Sequence, residues 1–150
     1  KEKVDFIVVS EGAGFDYLKS KVNELKINNI KLFELQPFEK IPQVLATGDL
    51  LLVILDKEAG EYSVPSKLWS YYCAQRACIL FVPKENLTAK ITLRNECGVI
   101  CANKQDFVDN ILDLKNNKKK LDVMGYNARE YAENFFNIND ISNKFYEIIK

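Results

Sequence analysis

The chain has 150 residues, of which 47% are hydrophobic and 28% charged, and its 21 basic and 21 acidic side chains balance. This length predicts one domain with a real hydrophobic core, and the composition excludes disordered and fibrous proteins. A neutral chain also lacks the basic surface that nucleic-acid binding requires. The longest aliphatic run, residues 50–55, is far shorter than the roughly 20 residues of a membrane span, and residues 1–10 do not resemble a signal peptide.

Apolar runs alternate with amphipathic stretches along the chain. Apolar runs predict strands at residues 4–10, 30–33, 50–55, 78–82 and 99–102, and the central runs are nearly continuous, which indicates burial on both faces, as in a parallel sheet. Apolar residues at spacings of three and four predict helices within residues 15–25, 39–46, 107–112, 121–135 and 141–148, the last capped near Asn139 or Asp140. Residues 116–120 are expected to form a polar turn. This order predicts an α/β domain with a parallel sheet and two helices at the C-terminus.

The histidine and cysteine content limits the possible catalytic mechanisms and metal sites. The chain has no histidine, which excludes Ser–His–Asp and Cys–His catalysis and every metal site that contains histidine. The four cysteines lack the spacing of a zinc or thioredoxin-like motif, so we expect them to be packing residues with free thiols in a reducing cytoplasm.

Ligands of open α/β sheets bind where the strands end, so the segments after the strands are candidates for a site. Ser10, Glu11 and Gly12 follow the first predicted strand, and a glycine there permits a tight turn with positive φ into a helix whose N–H groups suit an anion. Gly14 follows, but the third glycine of the dinucleotide fingerprint is missing, which argues against NAD.

A longer polar loop follows the third predicted strand. Ser63 is a candidate N-cap there, and Pro65 suits a first helical turn. Lys67 would then lie at the end of a helix that disfavours a cation, a placement that favours a bound phosphate or carboxylate beside it, although an ordinary surface lysine is the alternative. Trp69, Tyr71 and Tyr72 are expected to pack in the core or at an interface rather than to form a stacking surface. No Asp-x-Asp motif is present to hold a divalent metal.

The order of several motifs resembles a known family. They are LQPFEKIPQVLATGDLLLVIL, SVPSKLWSYYCAQRACIL, NECGVICANKQDF and MGYNAREYAENFF. This order is similar to the C-terminal, donor-binding domain of family-4 retaining glycosyltransferases of the GT-B fold, above all the bacterial capsule, O-antigen and colanic-acid type. The resemblance covers essentially the whole chain. It implies a three-layer Rossmann-like parallel sheet flanked by helices, and one nucleotide-sugar-binding domain over residues 1–150.

The resemblance also implies an activity and its residues. The activity is transfer of a hexosyl-type sugar from a nucleotide-sugar to a polysaccharide or lipid-linked acceptor, with retention of the anomeric configuration. The donor is expected to be a UDP-sugar. Neither a metal ion nor a cofactor is expected to take part. Lys67 and Glu61 would be the catalytic residues. The residues matching the donor site are Glu11, Gly12, Leu35, Gln36, Ser63, Val64, Pro65, Ser66, Lys67 and Ser70.

The chain departs from the family pattern in two ways. Where many members have two glutamates, it has Tyr62 and Ser70, so Glu61 could take over the first role. The family's domain also begins one strand earlier, and its acceptor domain precedes that strand. We therefore expect a fragment of a longer cytoplasmic enzyme, and we expect this fragment to be inactive alone. The missing domain would bind the acceptor and the inner face of a bacterial membrane. The fragment itself would self-associate through open strand edges.

Other functions are consistent with the same residues. A non-catalytic nucleotide-sugar-binding subunit that works with a separate acceptor-binding chain would explain the replaced glutamates. A nucleotide-sugar epimerase is disfavoured because no histidine is available for proton transfer. A flavodoxin-like or receiver domain would need an acidic pocket after the first strand, for which Glu11 alone is poor support.

Overall fold

A computed structural model describes residues 4–56, 58, 60 and 63–150. The chain divides into two compact units, Lys1–Val44 and Leu45–Lys150. The parallel strands and flanking helices confirm the predicted α/β class. All five predicted strands are present, and each end lies within two residues of its predicted position.

The first unit is built around two parallel strands. Its elements are β1 (Phe6–Val9), α1 (Ala13–Glu24), β2 (Ile30–Phe33), a 3-10 turn (Phe38–Lys40) and the start of α2 (Ile41–Ala46). Residue Phe6 pairs with Ile30 and Val9 with Phe33. Pro42 lies in the first turn of α2, as predicted, where its missing N–H removes no intrahelical hydrogen bond.

The second unit has a three-stranded parallel sheet in the order β3-β4-β5. Its elements are β3 (Leu50–Ile54), α3 (Lys67–Cys73), β4 (Ala77–Phe81), α4 (Leu87–Arg94), β5 (Gly98–Ile100), α5 (Lys104–Asn116), α6 (Lys118–Phe135) and α7 (Ile138–Ile149). Four of the five residues of β4 are buried, as expected for a central strand with continuous apolar sequence. Strand pairing is thus divided between two sheets rather than continuous through five strands.

The main core of the second unit lies under α3 and α6. Leu68 and Tyr72 of α3 are fully buried with Val53 and Leu80 of the sheet. Aromatic rings extend this core through edge-to-face contacts, in which Trp69 packs on Tyr72 and Phe136, and Tyr131 packs on the same two rings. The prediction that Trp69 and Tyr72 are packing residues is confirmed.

The structure corrects three local predictions. Residues 116–120 are not a turn, because Asn117 alone separates α5 from α6 and its side chain accepts a hydrogen bond from the N–H of Lys120, 3.1 Å away. The last helix begins earlier than expected, with Asn137 as its cap. Helix α4 was not predicted at all, because its buried face carries Thr88 and Thr92 and so lacks a clear apolar stripe.

The four cysteines have different surroundings. Cys78, Cys97 and Cys101 are buried, which confirms their prediction as packing residues, whereas Cys73 at the end of α3 is exposed. All four thiols are free. Within the described part of the chain, no helix is both long and apolar enough to cross a membrane.

Candidate functional site

The turn after β1 depends on a glycine. Gly12 caps α1 with φ of 83°, and its carbonyl accepts hydrogen bonds from the N–H groups of Phe15 (2.9 Å) and Asp16 (3.1 Å). A β-carbon at this position would meet no atom within 4 Å, so glycine is favoured by the backbone angle and not by lack of space. The expected positive φ is confirmed. Glu11 precedes this turn and is exposed.

The segment after β2 lies at the same edge of the first sheet. Both strands run in the same direction, and the N–H of Ser10 donates to the carbonyl of Phe33 at 3.1 Å, which extends the pairing to the strand ends. Leu35 is 53% exposed. The side-chain amide of Gln36 donates to the carbonyl of Glu34 at 3.0 Å. The four predicted donor-site residues of this unit therefore follow the carboxyl ends of two neighbouring strands.

In the second unit, the loop after β3 begins with two hydrogen bonds to one aspartate. The carboxylate of Asp56 accepts from the N–H of Glu58 (3.0 Å), and its carbonyl accepts from the N–H of Gly60 (2.7 Å). Gly60 is buried, and a β-carbon there would lie 2.4 Å from a ring carbon of Pro83. Only glycine fits this approach of the loop to the segment after β4. Glu61 and Tyr62, which the sequence analysis singled out, lie outside the described residues.

The entrance to α3 differs from the prediction. Ser63 does not cap the helix and Pro65 is not in its first turn, because α3 begins only at Lys67. Ser66 takes the cap position without a side-chain hydrogen bond. The carbonyl of Ser63 instead accepts a hydrogen bond from Asn86, which holds this residue in the loop.

The side chains around this entrance differ in exposure. Pro65 is buried, whereas Val64, Ser66 and Lys67 are exposed, and Ser70 is exposed one turn further along α3. The N–H groups of Leu68 and Trp69 already donate to the carbonyls of Pro65 (3.0 Å) and Ser66 (3.1 Å). A ligand at this entrance would therefore meet mainly side chains. Among the described residues of this entrance, Lys67 is a cation, and it is exposed at the first position of α3.

Asn86, which is not among the residues predicted from the sequence, joins the loop to α4. Its side-chain N–H groups donate to the carbonyls of Gly60 and Ser63, the latter at 2.9 Å. Its side-chain oxygen accepts from the N–H of Thr88 at 2.8 Å and from the hydroxyl of that threonine. The available signal was local: an asparagine two residues before a threonine, directly before a helical stretch, is typical of an N-cap. The loop contacts have no local signal.

A buried polar network lies behind α3. The hydroxyl of Tyr72 is 2.8 Å from that of Thr92, and because Thr92 donates to the carbonyl of Thr88 (2.6 Å), the tyrosine is the donor of the pair. Burial raises the pKa of Tyr72 well above its usual value. Burial also raises the pKa of the neighbouring Cys97 thiol to about 11. These groups stay neutral near pH 7, so they support α3 rather than carry charge for chemistry.

The predicted residues therefore form two groups. Glu11, Gly12, Leu35 and Gln36 lie in the first unit, and the described residues from Ser63 to Ser70 lie in the second. Within each unit they follow the carboxyl ends of parallel strands, where α/β proteins bind ligands. Among the described residues, no three His, Cys, Asp or Glu side chains cluster closely enough to hold a metal ion.

Comparison with known proteins gives one informative match. No protein-family model matches the chain. Over 67 residues, the chain is 31% identical to a protein of Escherichia coli strain K12 named as a colanic acid biosynthesis glycosyl transferase, WcaI. The aligned stretch is 45% of this chain and 16% of that protein, so the chain spans only a small part of this relative. The match supports a relationship between this chain and glycosyltransferases.

Proposed function

We propose that this chain is the nucleotide-sugar-binding domain of a family-4 retaining glycosyltransferase of the GT-B fold. The donor would be a UDP-sugar, and the acceptor a polysaccharide or a lipid-linked glycan bound by another part of the enzyme. The observation that carries the proposal is the match to a protein named as a colanic acid biosynthesis glycosyl transferase. The parallel α/β architecture is consistent with it, because such sheets bind nucleotides at their carboxyl edge.

The chemistry proposed for the second unit is charge stabilisation. When the sugar leaves the nucleoside diphosphate, negative charge develops on the phosphate oxygens. The Lys67 ammonium, at the exposed start of α3, would stabilise that charge without a metal ion. Because α3 has only seven residues and its first N–H groups are partly used, the lysine rather than the helix dipole would supply most of the effect. Glu61 would assist from the preceding loop.

In the first unit, taken by itself, the residues that match the family's donor site would offer backbone groups. The turn at Gly12 leaves no side chain near the backbone, which would let a phosphate or sugar approach closely. Leu35 and Gln36, at the same sheet edge, would meet the base. In this proposal the aromatic core under α3 holds Lys67 in place and does not touch the substrate.

Calorimetric titration of the chain with UDP, GDP, CMP and ADP tests the proposal. We expect selective UDP binding, and we expect Lys67→Ala to weaken it roughly ten- to a hundredfold, the usual effect of losing a hydrogen bond to a charged group. Lys118→Ala is the matched control, because Lys118 also begins a helix but follows another helix and pairs with Asp122 on the surface. Binding of none of the nucleotides, or an equal loss in both variants, would contradict the proposal.

A second candidate is a non-catalytic nucleotide-sugar-binding subunit. The observation that favours it is Ser70, an exposed serine on α3 at a position where the family resemblance implies glutamate. Both candidates predict UDP binding, so turnover must separate them. Expression of the gene from its natural start codon, followed by an assay for UDP release from UDP-glucose and UDP-galactose with and without acceptor, distinguishes a transferase from a binding subunit.

A further inference from the structure

We infer that Asn86 is a positioning residue that fixes the loop between β3 and α3 and thereby orients Lys67 toward the donor phosphates. The inference rests on the proposed function for the role of Lys67. The loop contacts themselves are independent of it. Asn86 does not need to touch the ligand, because its side chain is 2% exposed and all its contacts are within the protein.

The hydrogen bonds define how the Asn86 amide must point. Its two loop partners, the carbonyls of Gly60 and Ser63, can only accept, so the amide nitrogen must face the loop. The N–H of Thr88 can only donate, so the amide oxygen must face α4. Only an asparagine side chain of this length satisfies both sides at once. The residue therefore couples the first turn of α4 to carbonyls 26 and 23 positions earlier in the chain.

The loop needs such an anchor because of its length. Residues 55–66 separate β3 from α3, whereas strand-to-helix loops in α/β proteins usually have about two to six residues. A polar loop this long has many accessible conformations unless tertiary contacts select one. The described contacts of this kind include the Leu55 N–H bonded to the carbonyl of Phe81, the buried Gly60 packed against Pro83, and the Ser63 carbonyl bonded to Asn86.

The anchor at Ser63 reaches Lys67 through a stiff connection. Pro65 is buried and has a fixed φ, and Leu68 is fully buried in the core beyond it. Lys67 lies between these two fixed residues, so its backbone direction depends on how the loop enters α3. Without the hydrogen bonds donated by Asn86, the segment that leads into α3 could change its conformation, while the buried face of α3 would stay packed in the core.

Asn86→Ser separates the two roles of the residue. Serine is a good N-cap and keeps the acceptor for α4, but it is too short to donate to both loop carbonyls. In the full chain we expect the backbone amides of the described loop residues 58, 60, 63, 64 and 66 to exchange hydrogen roughly tenfold faster than in the unmodified protein, and UDP to bind roughly tenfold more weakly. Asn103→Ser is the matched control, since Asn103 is also an N-cap asparagine, whose side-chain oxygen accepts from the N–H of Asp106 at the start of α5.

The outcomes separate this inference from the proposed function. Unchanged loop exchange and unchanged UDP affinity in Asn86→Ser would overturn the inference, as would an equal effect of Asn103→Ser, which would indicate a general effect of changing a capping asparagine. If the unmodified chain binds no nucleotide, the proposed function fails, and so does the role of Asn86 in nucleotide-sugar binding. Hydrogen exchange still tests whether Asn86 holds the loop. Faster loop exchange with weaker UDP binding in Asn86→Ser alone supports the inference.

Discussion

A single added methyl group on α6 should destabilise the second unit even though it improves the helix. Gly125 is buried in α6, and a β-carbon there would lie 2.7 Å from the carbonyl oxygen of Gln75, in the turn between α3 and β4. Gln75 has φ of 57° and its N–H donates to the carbonyl of Tyr72, so this backbone has little freedom to withdraw. The clash therefore requires α6 to move away from the sheet.

Two effects of opposite sign decide the result for Gly125→Ala. Replacing glycine by alanine inside a helix stabilises it by about 1 kcal/mol. Overpacking against fixed neighbours costs about 1–3 kcal/mol, and the upper part of that range applies because the obstacle is backbone. We expect a net loss of about 1–2 kcal/mol in the free energy of unfolding, which corresponds to a melting temperature lower by about 2–8 °C.

Urea unfolding followed by fluorescence measures this loss directly. Trp69 is the one tryptophan of the chain and packs in the core of the second unit, so its emission reports that unit. Gly14→Ala in α1 is the control, since a β-carbon there meets no atom within 4 Å and only the gain in helix propensity remains, read by circular dichroism. A Gly125→Ala midpoint at or above that of the unmodified protein would refute the reasoning.

Three further results are expected. Gly98→Ala should destabilise the same unit more than Gly125→Ala, by about 3 kcal/mol or more, because its β-carbon would lie 2.0 Å from the carbonyl oxygen of Cys78 on β4. The same fluorescence titration measures this loss in the free energy of unfolding, and a loss smaller than that of Gly125→Ala would contradict the expectation. In the folded protein only the Cys73 thiol should react quickly with Ellman's reagent, against four thiols in guanidinium; rapid reaction of a second thiol would contradict the burial of the others. The free energy of unfolding should fall between pH 9 and pH 11, because the unfolded Cys97 thiol ionises near pH 9 while the folded one keeps its proton to about pH 11. Urea titrations across this range test the expectation. In Cys97→Ser, the free energy of unfolding should depend less on pH.

The strands could be predicted from sequence because each is a short, nearly continuous apolar run. Helix α4 could not be found in the same way, since Thr88 and Thr92 occupy its buried face and their hydroxyls are satisfied only by Asn86, Tyr72 and the helix backbone. A hydropathy pattern counts these threonines as polar, although both are buried in the core, so it does not show the buried face of α4.

The candidate site was predictable only where its signal is local. The turn at Gly12 and the position of Lys67 at the start of α3 follow from neighbouring residues. The cap of α3 was placed three residues too early, because nothing near Ser63 shows that its carbonyl bonds to a side chain 23 positions later. Asn86 has a local N-cap signal, but its hydrogen bonds to the loop carbonyls have none.

The parallel order of β3, β4 and β5 also bears on how the second unit can form. Partners in register such as Leu52 and Ile79 are 27 positions apart, so no hairpin can serve as a nucleus, and each pairing must first close a long loop of chain. The cover of β4 is completed only when α6 docks, about 50 residues further on. During synthesis, this central strand therefore stays partly uncovered until the ribosome has released residues up to about 135, and in that period we expect the chain to depend most on chaperones.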